Sequence, residues 1–306
     1  MLVPVVLVVS LATFALLLAV PGDAASQIAG PNATPEQIEK IRDQLGLNQP
    51  LFVQYLTWLG HILQGNLGNS LISGRPVADM IIERLPVTLS LAFFALVIGT
   101  VFGAIFGVIA ALTKGTVVDR SLTVLSSLGI ATPNYWLGLL LILLFSLTLR
   151  MLPSSQYVPL AEDPGEWLRH LILPGIALGA AFVAETTRQV RSAMLEVKDL
   201  AYVTTAKSQG QPPWTIVSKY MARNAALPVL TVIGLQFTRI LSGTVLVEQI
   251  FSLPGIGTLM ITAVLNRDMP VVQGVMFCAV LVAVVVNLLV DLSYTALNPK
   301  VRTQWS

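Results

Sequence analysis

Residues 199–228 read DLAYVTTAKSQGQPPWTIVSKYMARNAALP and lie between two long apolar segments. A connection between two membrane spans needs only a short turn, so an amphipathic loop of this length indicates a surface that contacts something else. We predict a short helix from Asp199 to Gln209, with Asp199 as its N-cap. Gly210 suits the left-handed conformation that ends a helix, and the two prolines after it cannot continue the helix.

One face of this predicted helix carries Leu195, Tyr202, Val203 and Ala206. The small residues at positions 204–206 would let the surface of another protein come close. An alternative interpretation is a basic helix that lies on lipid headgroups beside the membrane.

The composition is that of a polytopic membrane protein. The 306 residues are 55% hydrophobic and only 11% charged, whereas a soluble protein carries roughly a quarter charged residues. A net charge of +2 gives no signal for nucleic-acid binding. Cys278 is the single cysteine, so the chain cannot form an internal disulfide, and with two histidines it offers no metal-ligand cluster.

Apolar stretches long enough to cross a bilayer predict an all-α protein of six transmembrane helices. These stretches are Met1–Val20, Val87–Leu112, Leu122–Leu149, Leu171–Ala193, Ala226–Val247 and Val271–Val290. A cleaved signal peptide is the alternative for the first stretch. Its length and the lack of a preceding basic residue favour a retained span.

The spans imply a domain organisation in three parts. Residues 1–20 form the first span, and residues 21–86, rich in Gly, Pro and Asn, form an extracytoplasmic subdomain. Residues 87–302 form a core of five spans, which includes the loop 194–225. Glu248 to Asp268 is predicted to be an outside loop.

Two features inside the spans indicate how the helices are built. Gly99, Gly103 and Gly107 recur every four residues and predict close helix packing. Pro133 is expected to break or kink the third span. Next to it, Asn134 and Tyr135 either face a translocation path or anchor an interface.

Charged residues in the spans are candidates for function. Gln236 and Arg239 lie near the middle of the fifth span, and we interpret them as pathway or subunit-interface residues. A buried carboxylate partner for Arg239 is possible, but no span carries an acidic residue at a clearly matching depth. The three-residue spacing of Glu185, Arg188 and Arg191 predicts ion pairing along one helix.

The distribution of charge predicts the orientation. The termini, the even-numbered connections and the end of the fourth span beside them hold ten basic and five acidic residues, and the opposite side holds seven basic and eleven acidic residues. Because Lys and Arg mark the cytoplasmic side, both termini and the loop 194–225 are predicted to be cytoplasmic.

Several motifs carry a resemblance to a known family. Thr204-Thr205-Ala206, then Gly210, and later Leu227-Pro228 resemble the "EAA" loop of ABC-importer permeases. The general family has Glu-Ala where this chain has Thr204-Thr205, a departure that the peptide-transporting branch shares. Further runs resemble dipeptide and oligopeptide permeases of the B type: LGLNQPL (45–51), GNLGNS (65–70), PNYWLG (133–138), VEQIFSLPGIG (247–257) and NRDMPVVQG (266–274).

The resemblance implies a type I ABC-importer permease in a bacterial inner membrane. Its expected partners are a second permease subunit, two ATPase subunits, an extracytoplasmic solute-binding protein and a peptide substrate. ATP and Mg would be bound by the ATPases, because this chain has no GxxxxGK[ST] phosphate loop and is not itself expected to be an enzyme. The residues implied in ATPase docking are Leu200, Tyr202, Val203, Ala206, Lys207 and Gly210. An Ala206→Glu substitution is then expected to block coupled uptake without affecting insertion.

Other functions remain open at this point. Similar permeases carry nickel or other small solutes. An ion-coupled secondary transporter would need intramembrane carboxylates and paired repeats, and neither is evident in the sequence. A membrane scaffold without transport would leave the long loop and Arg239 without a role.

Overall fold

The computed structural model describes residues 8, 10–11, 13–15, 24–29, 33–44, 46–222, 225, 236, 239–240 and 242–297. These residues are mostly helical and contain no β-strand, apart from one isolated antiparallel bridge between Asn69 and Pro76. The chain divides into two compact units, Met1–Pro86 with Gly255–Val285 and Val87–Pro254 with Val286–Ser306.

The first helices in chain order are α1 (Ala24–Ala29), α2 (Pro35–Gln44), α3 (Leu51–Leu63), α4 (Val77–Leu112), α5 (Val117–Ala131) and α6 (Asn134–Leu141), which continues as a π-helix over Ile142–Thr148. They are followed by α7 (Pro164–Lys198), α8 (Ala201–Ser208), α9 (Pro213–Thr215, continuing as a π-helix over Ile216–Ala222), a helical segment at 242–250, α10 (Ile256–Leu265) and α11 (Met269–Leu297).

Three described helices are long and apolar enough to cross a membrane: Val77–Leu112, Pro164–Lys198 and Met269–Leu288. Helices α5 and α6 form a fourth candidate that is bent by 105° at its break. Most of the predicted first span, Met1–Val20, and most of the predicted fifth span, Ala226–Val247, lie outside the described residues.

Helix α4 begins ten residues before the predicted start of the second span at Val87, and Pro86 lies inside it. Its first turns are held by packing within their own unit, because Val77 and Ile81 are buried in a cluster with α10 and α11. This burial outweighs the hydrogen bond that Pro86 cannot donate. Helix α7 also begins early, at Pro164, because the Asp163 side chain caps it by accepting from the N–H groups of Gly165 and Glu166.

Helices α4 and α7 approach closely along the predicted glycine stripe. A Cβ at Gly99 would overlap the Phe182 ring, and a Cβ at Gly103 would lie 2.5 Å from Cβ of Thr186. A Cβ at Gly107 would lie 2.6 Å from Cβ of Val190. The packing role predicted for the stripe is therefore confirmed. Helix α7 presents glycines in return, since Gly175 faces Phe94 and Gly179 faces the carbonyl oxygen of Ala95.

The third predicted span is broken at Pro133, as the sequence indicates. Thr132 ends α5 with a ψ of 123°, and Pro133 has a ψ of 135°, so both residues have left the helical region. Proline disfavours the helical conformation at the residue before it, which explains why α5 stops there. Beyond the break, Gly138 lies against the Phe251 ring.

Glu248 lies in a helix and not, as predicted, in a loop. It belongs to the helical segment 242–250, which passes the predicted end of the fifth span at Val247. Its side chain is fully buried, and the Thr88 hydroxyl donates to its Oε1 at 2.6 Å. The prediction failed because a carboxylate can be buried where another helix supplies a donor.

We predict that Gly103→Ala destabilises the protein by about 1–3 kcal/mol, because the added methyl group would collide with Thr186 and with the Val183 carbonyl oxygen. Thermal unfolding of the detergent-solubilised protein measures the effect. Gly60→Ala in α3 is the matched control, because a Cβ there meets nothing within 4 Å. An equal melting temperature for the two variants would contradict the close packing of α4 on α7.

Candidate functional site

The predicted loop helix exists as α8, but it begins later than expected. Helix α7 continues to Lys198, and Asp199 forms its C-cap with φ −98° and ψ 4°. The N-cap of α8 is Leu200, which has extended backbone angles and makes no side-chain capping bond. The prediction of Asp199 as the N-cap is therefore wrong, because this residue is used to end α7.

The end of α8 is built as predicted. Gly210 has φ +72°, a left-handed conformation that is strained for residues with a Cβ. Its N–H donates to the Lys207 carbonyl oxygen at 3.0 Å, and the Gln211 N–H donates to the Ala206 carbonyl oxygen at 3.2 Å. These two bonds form a Schellman motif and satisfy the last carbonyl groups of the helix.

Helix α8 is mounted on the rest of its unit through two of its candidate residues. Val203 is 0% exposed and Ala206 is 2% exposed. They share a buried apolar cluster with residues of α4, α7 and the segment after α8: Ala111, Val190, Ala193, Met194, Val197, Ile216, Met221 and Ala225. The face that Val203 and Ala206 form is thus occupied by this chain itself.

Other candidate residues of α8 are exposed among the described residues. Leu200 is 45% exposed and Tyr202 is 39% exposed, and Lys207 and Gly210 are also exposed. Tyr202 precedes Ala206 by four residues, so it lies on the same side of the helix at the exposed edge of the buried face. An Ala206→Glu substitution would place a carboxylate inside the apolar cluster, so it would perturb the mounting of α8 in addition to its surface.

The spacing of Glu185, Arg188 and Arg191 permits pairing along α7, but Glu185 and Arg191 pair with other segments. The Arg191 guanidinium donates to both Asp119 carboxylate oxygens, at 2.6 and 2.9 Å. Asp119 also accepts the N–H of Gly115 at 2.9 Å. This contact joins the start of α5 to α7 across 72 residues of sequence.

Arg239 has a carboxylate partner, Glu185, which the sequence analysis did not identify. The Gln236 amide donates to Glu185 Oε2, and Arg239 Nη1 lies 3.5 Å from the same oxygen. Gln236 is buried, whereas the Arg239 side chain is 71% exposed. The sequence analysis expected no acidic residue at the depth of Arg239. Helix α7 continues to Lys198, however, so Glu185 lies well inside the helix.

The remaining candidates lie at the break in the third predicted span. Asn134 begins α6 and is half-buried, with Nδ2 3.6 Å from the position of a Cβ at Gly243. Tyr135 is exposed on the same helix. The break therefore brings Asn134 to the segment 242–250, whereas Tyr135 points away from the buried core.

Residues 103–303 match the family of binding-protein-dependent transport system inner membrane components, and residues 1–92 match the N-terminal region of such membrane components. The chain belongs to this permease family. The permease is 44% identical to a putative peptide transport system permease protein of Brucella abortus (strain 2308), over 98% of this chain and 96% of that protein. It is 40% identical to a di/tripeptide transport system permease protein of Pseudomonas aeruginosa (strain UCBPP-PA14), over 99% and 97% of the two chains.

A third relative is a glutathione transport system permease protein of Escherichia coli O6:H1, at 39% identity over 98% of this permease and 96% of that protein. Among solved structures, a chain of the MetNI methionine ABC transporter in inward-facing conformations aligns with a TM-score of 0.59 at 15% identity, over 72% of this permease and 96% of that chain. A chain of an amino acid ABC transporter aligns with a TM-score of 0.53 at 18% identity, over 71% and 94%. These likenesses show a shared fold.

Sequence reasoning missed the partners of Arg191 and Arg239 in this permease. Asp119 lies in the first turn of a helix. An acidic residue is favourable at that position without any partner, so its presence does not predict an ion pair. Glu185 and Arg191 carry a spacing that also suits intrahelical pairs. Neither pattern states which distant segment a side chain will reach.

We predict that Gly210→Ala weakens the end of α8 by about 1–2 kcal/mol, because the alanine Cβ is strained at a positive φ. A Cβ at this position meets nothing within 4 Å, so the effect is purely conformational. Amide hydrogen exchange in α8 should accelerate by a factor of about 5–30. Gly210→Asn is the matched control, since asparagine tolerates the left-handed region better, and equal exchange in both variants would contradict the prediction.

Proposed function

We propose that this permease is a transmembrane pathway subunit of an ATP-driven importer of peptides. The observation that carries the proposal is helix α8, a capped helix with one face buried in its own unit and the other face exposed. A helix mounted in this way can be displaced as a rigid body by a partner and can pass the movement to α7.

The complete permease has six spans with an extracytoplasmic subdomain between the first two. Both termini and α8 face the cytoplasm. The support is the charge distribution, with ten basic and five acidic residues on the side of α8, against seven and eleven on the other.

The partners follow from the family. A second permease subunit completes the pathway, two ATPase subunits bind ATP and Mg beneath it, and an extracytoplasmic binding protein delivers the substrate. This chain contributes no ATP site of its own. Movement of the ATPases on ATP binding shifts α8 and changes the equilibrium between inward-open and outward-open states, which is a coupling free energy between two sites.

The docking residues are exposed candidates of α8, namely Leu200, Tyr202 and Lys207, with Gly210 fixing the end of the helix. Val203 and Ala206 contribute by holding α8 against Met194 and Val197. Leu200 and Tyr202 offer apolar surface to the ATPase, and Lys207 offers a positive charge.

Peptides are the proposed substrate. The support is the names of relatives that cover nearly the whole chain at 39–44% identity, which include a di/tripeptide and a glutathione transport permease. Arg239, exposed beside Glu185, is the candidate pathway residue with charge. A charged group at this depth needs water or protein around it.

We predict that Tyr202→Ala weakens ATPase binding by about 30-fold, the effect of truncating a hot-spot side chain. The complex is purified in mild detergent from its own membrane, and the ATPase recovered per permease is measured. Leu160→Ala is the matched control, because Leu160 is also a large exposed side chain but lies in the predicted extracytoplasmic loop between the third and fourth spans.

Ala206→Glu, measured beside these two variants, should lose ATPase and also loosen α8, which a protease test on the purified chain detects. If the wild-type permease is purified without any ATPase subunit, the ABC-importer proposal is wrong. If Tyr202→Ala retains the ATPase fully, docking does not use this exposed side chain of α8.

A further inference from the structure

The contact between Asp119 and Arg191 is the shortest ion pair that the structure describes between separate helices of the permease core. Two guanidinium nitrogens reach the two carboxylate oxygens at 2.6 and 2.9 Å, and Asp119 is 4% exposed. A bidentate pair of this kind fixes orientation as well as distance. Its position suggests a role beyond holding the fold together.

One partner of the ion pair, Asp119, lies at the beginning of α5. Asp119 lies in the first turn of the helix, where Thr116 caps the backbone N–H of Asp119. Its carboxylate also accepts the Gly115 N–H in the short connection from α4. Any displacement of the Asp119 carboxylate therefore moves the first turn of α5 together with that connection.

The other partner, Arg191, lies on α7 close to α8. Arg191 neighbours Val190, Ala193 and Met194, which belong to the buried cluster that holds α8 in place. The connection from Lys198 to Ala201 is short. Arg191 thus lies on the stretch of α7 that a displaced α8 would move first.

Along the rest of its length, α5 packs on α7 mainly through apolar and small residues. A Cβ at Gly129 would lie 3.0 Å from the Ala184 methyl group, so the helices touch there. An apolar cavity of about 550 Å³ lies beside this contact, lined on the α5 side by Leu122, Leu125, Ser126 and Gly129. Apolar contacts of this kind resist sliding less than a bidentate ion pair does, so the ion pair fixes the position of the first turn of α5 along α7.

We propose that Asp119 and Arg191 are positioning residues for transport, because their ion pair carries the displacement of α8 to α5 and so to the broken third span. The inference rests on the proposed function, in which an ATPase displaces α8. Without the pair, α7 would still follow α8, but only apolar contacts would hold the first turn of α5 in its position along α7. The pathway would then fail to open fully although ATPase docking is intact.

The test uses the assembled complex in lipid nanodiscs with an environment-sensitive fluorophore on single cysteines. Cys278 and the cysteines of the partner subunits are first replaced. Val124→Cys reports on α5, and Thr205→Cys reports on the exposed face of α8; both positions are exposed. A non-hydrolysable ATP analogue is added, and the change in emission is recorded at each position.

The informative variant is Asp119→Asn with Arg191→Gln, because removing both charges leaves no unpaired charge buried. We expect the nucleotide response at Thr205→Cys to be retained and the response at Val124→Cys to fall about fivefold or more. Arg191→Lys keeps the charge but loses the bidentate geometry, so its response at Val124→Cys should be intermediate. Arg169→Gln is the matched control, since Arg169 pairs with Glu166 on the surface of the same helix.

The outcomes separate the inference from the proposed function. A full response at Val124→Cys in the double variant overturns the role of the ion pair and leaves ATPase docking in place. A uniform loss at both positions also overturns it, because a purely structural pair would have that effect. No nucleotide response at Thr205→Cys in the wild-type complex would remove the proposed function, and this inference with it.

Discussion

The close approach of α4 and α7 is the constraint on which the core of this permease depends. Lipid provides no hydrophobic drive between helices, so association must come from close contact of their surfaces. Gly99, Gly103 and Gly107 leave space on α4 for side chains of α7, and Gly175 and Gly179 leave space on α7 in return. Each helix thereby receives the large residues of the other, and the pair can behave as one rigid body.

This rigid pair is the frame to which the other described elements of its unit attach. The Asp119–Arg191 ion pair ties α5 to α7, and the contact of Glu185 with Gln236 and Arg239 ties α7 to the fifth predicted span. In both cases a polar group inside the core meets its partner on another helix. Because a buried charge without a partner is costly, these contacts also define which arrangements of the helices are allowed.

In the proposed function, helix α8 links this frame to a partner. Its apolar face is buried against the ends of α4 and α7, so it cannot move without them. Its exposed face remains available to a partner. A short helix with a fixed mount and a free surface is suited to pass a movement from outside the membrane to helices within it.

The amino-acid sequence by itself determined the features that depend on a few neighbouring residues. Composition and apolar stretches specify a multi-pass helical membrane protein, Pro133 specifies a break, and Gly210 specifies the end of α8. The glycine stripe specifies close packing but not its partner. Motifs spread along the chain were enough to indicate the permease family.

Only the tertiary structure decided which surfaces and charges meet. It extended α4 back to Val77 despite Pro86, turned Val203 and Ala206 inward, and paired Arg191 with Asp119 and Arg239 with Glu185. The physical reason is the range of the interactions. A cap or a proline acts through the backbone of adjacent residues. Ion pairing here depends on side chains that are 54 and 72 positions apart and meet only when the helices have packed.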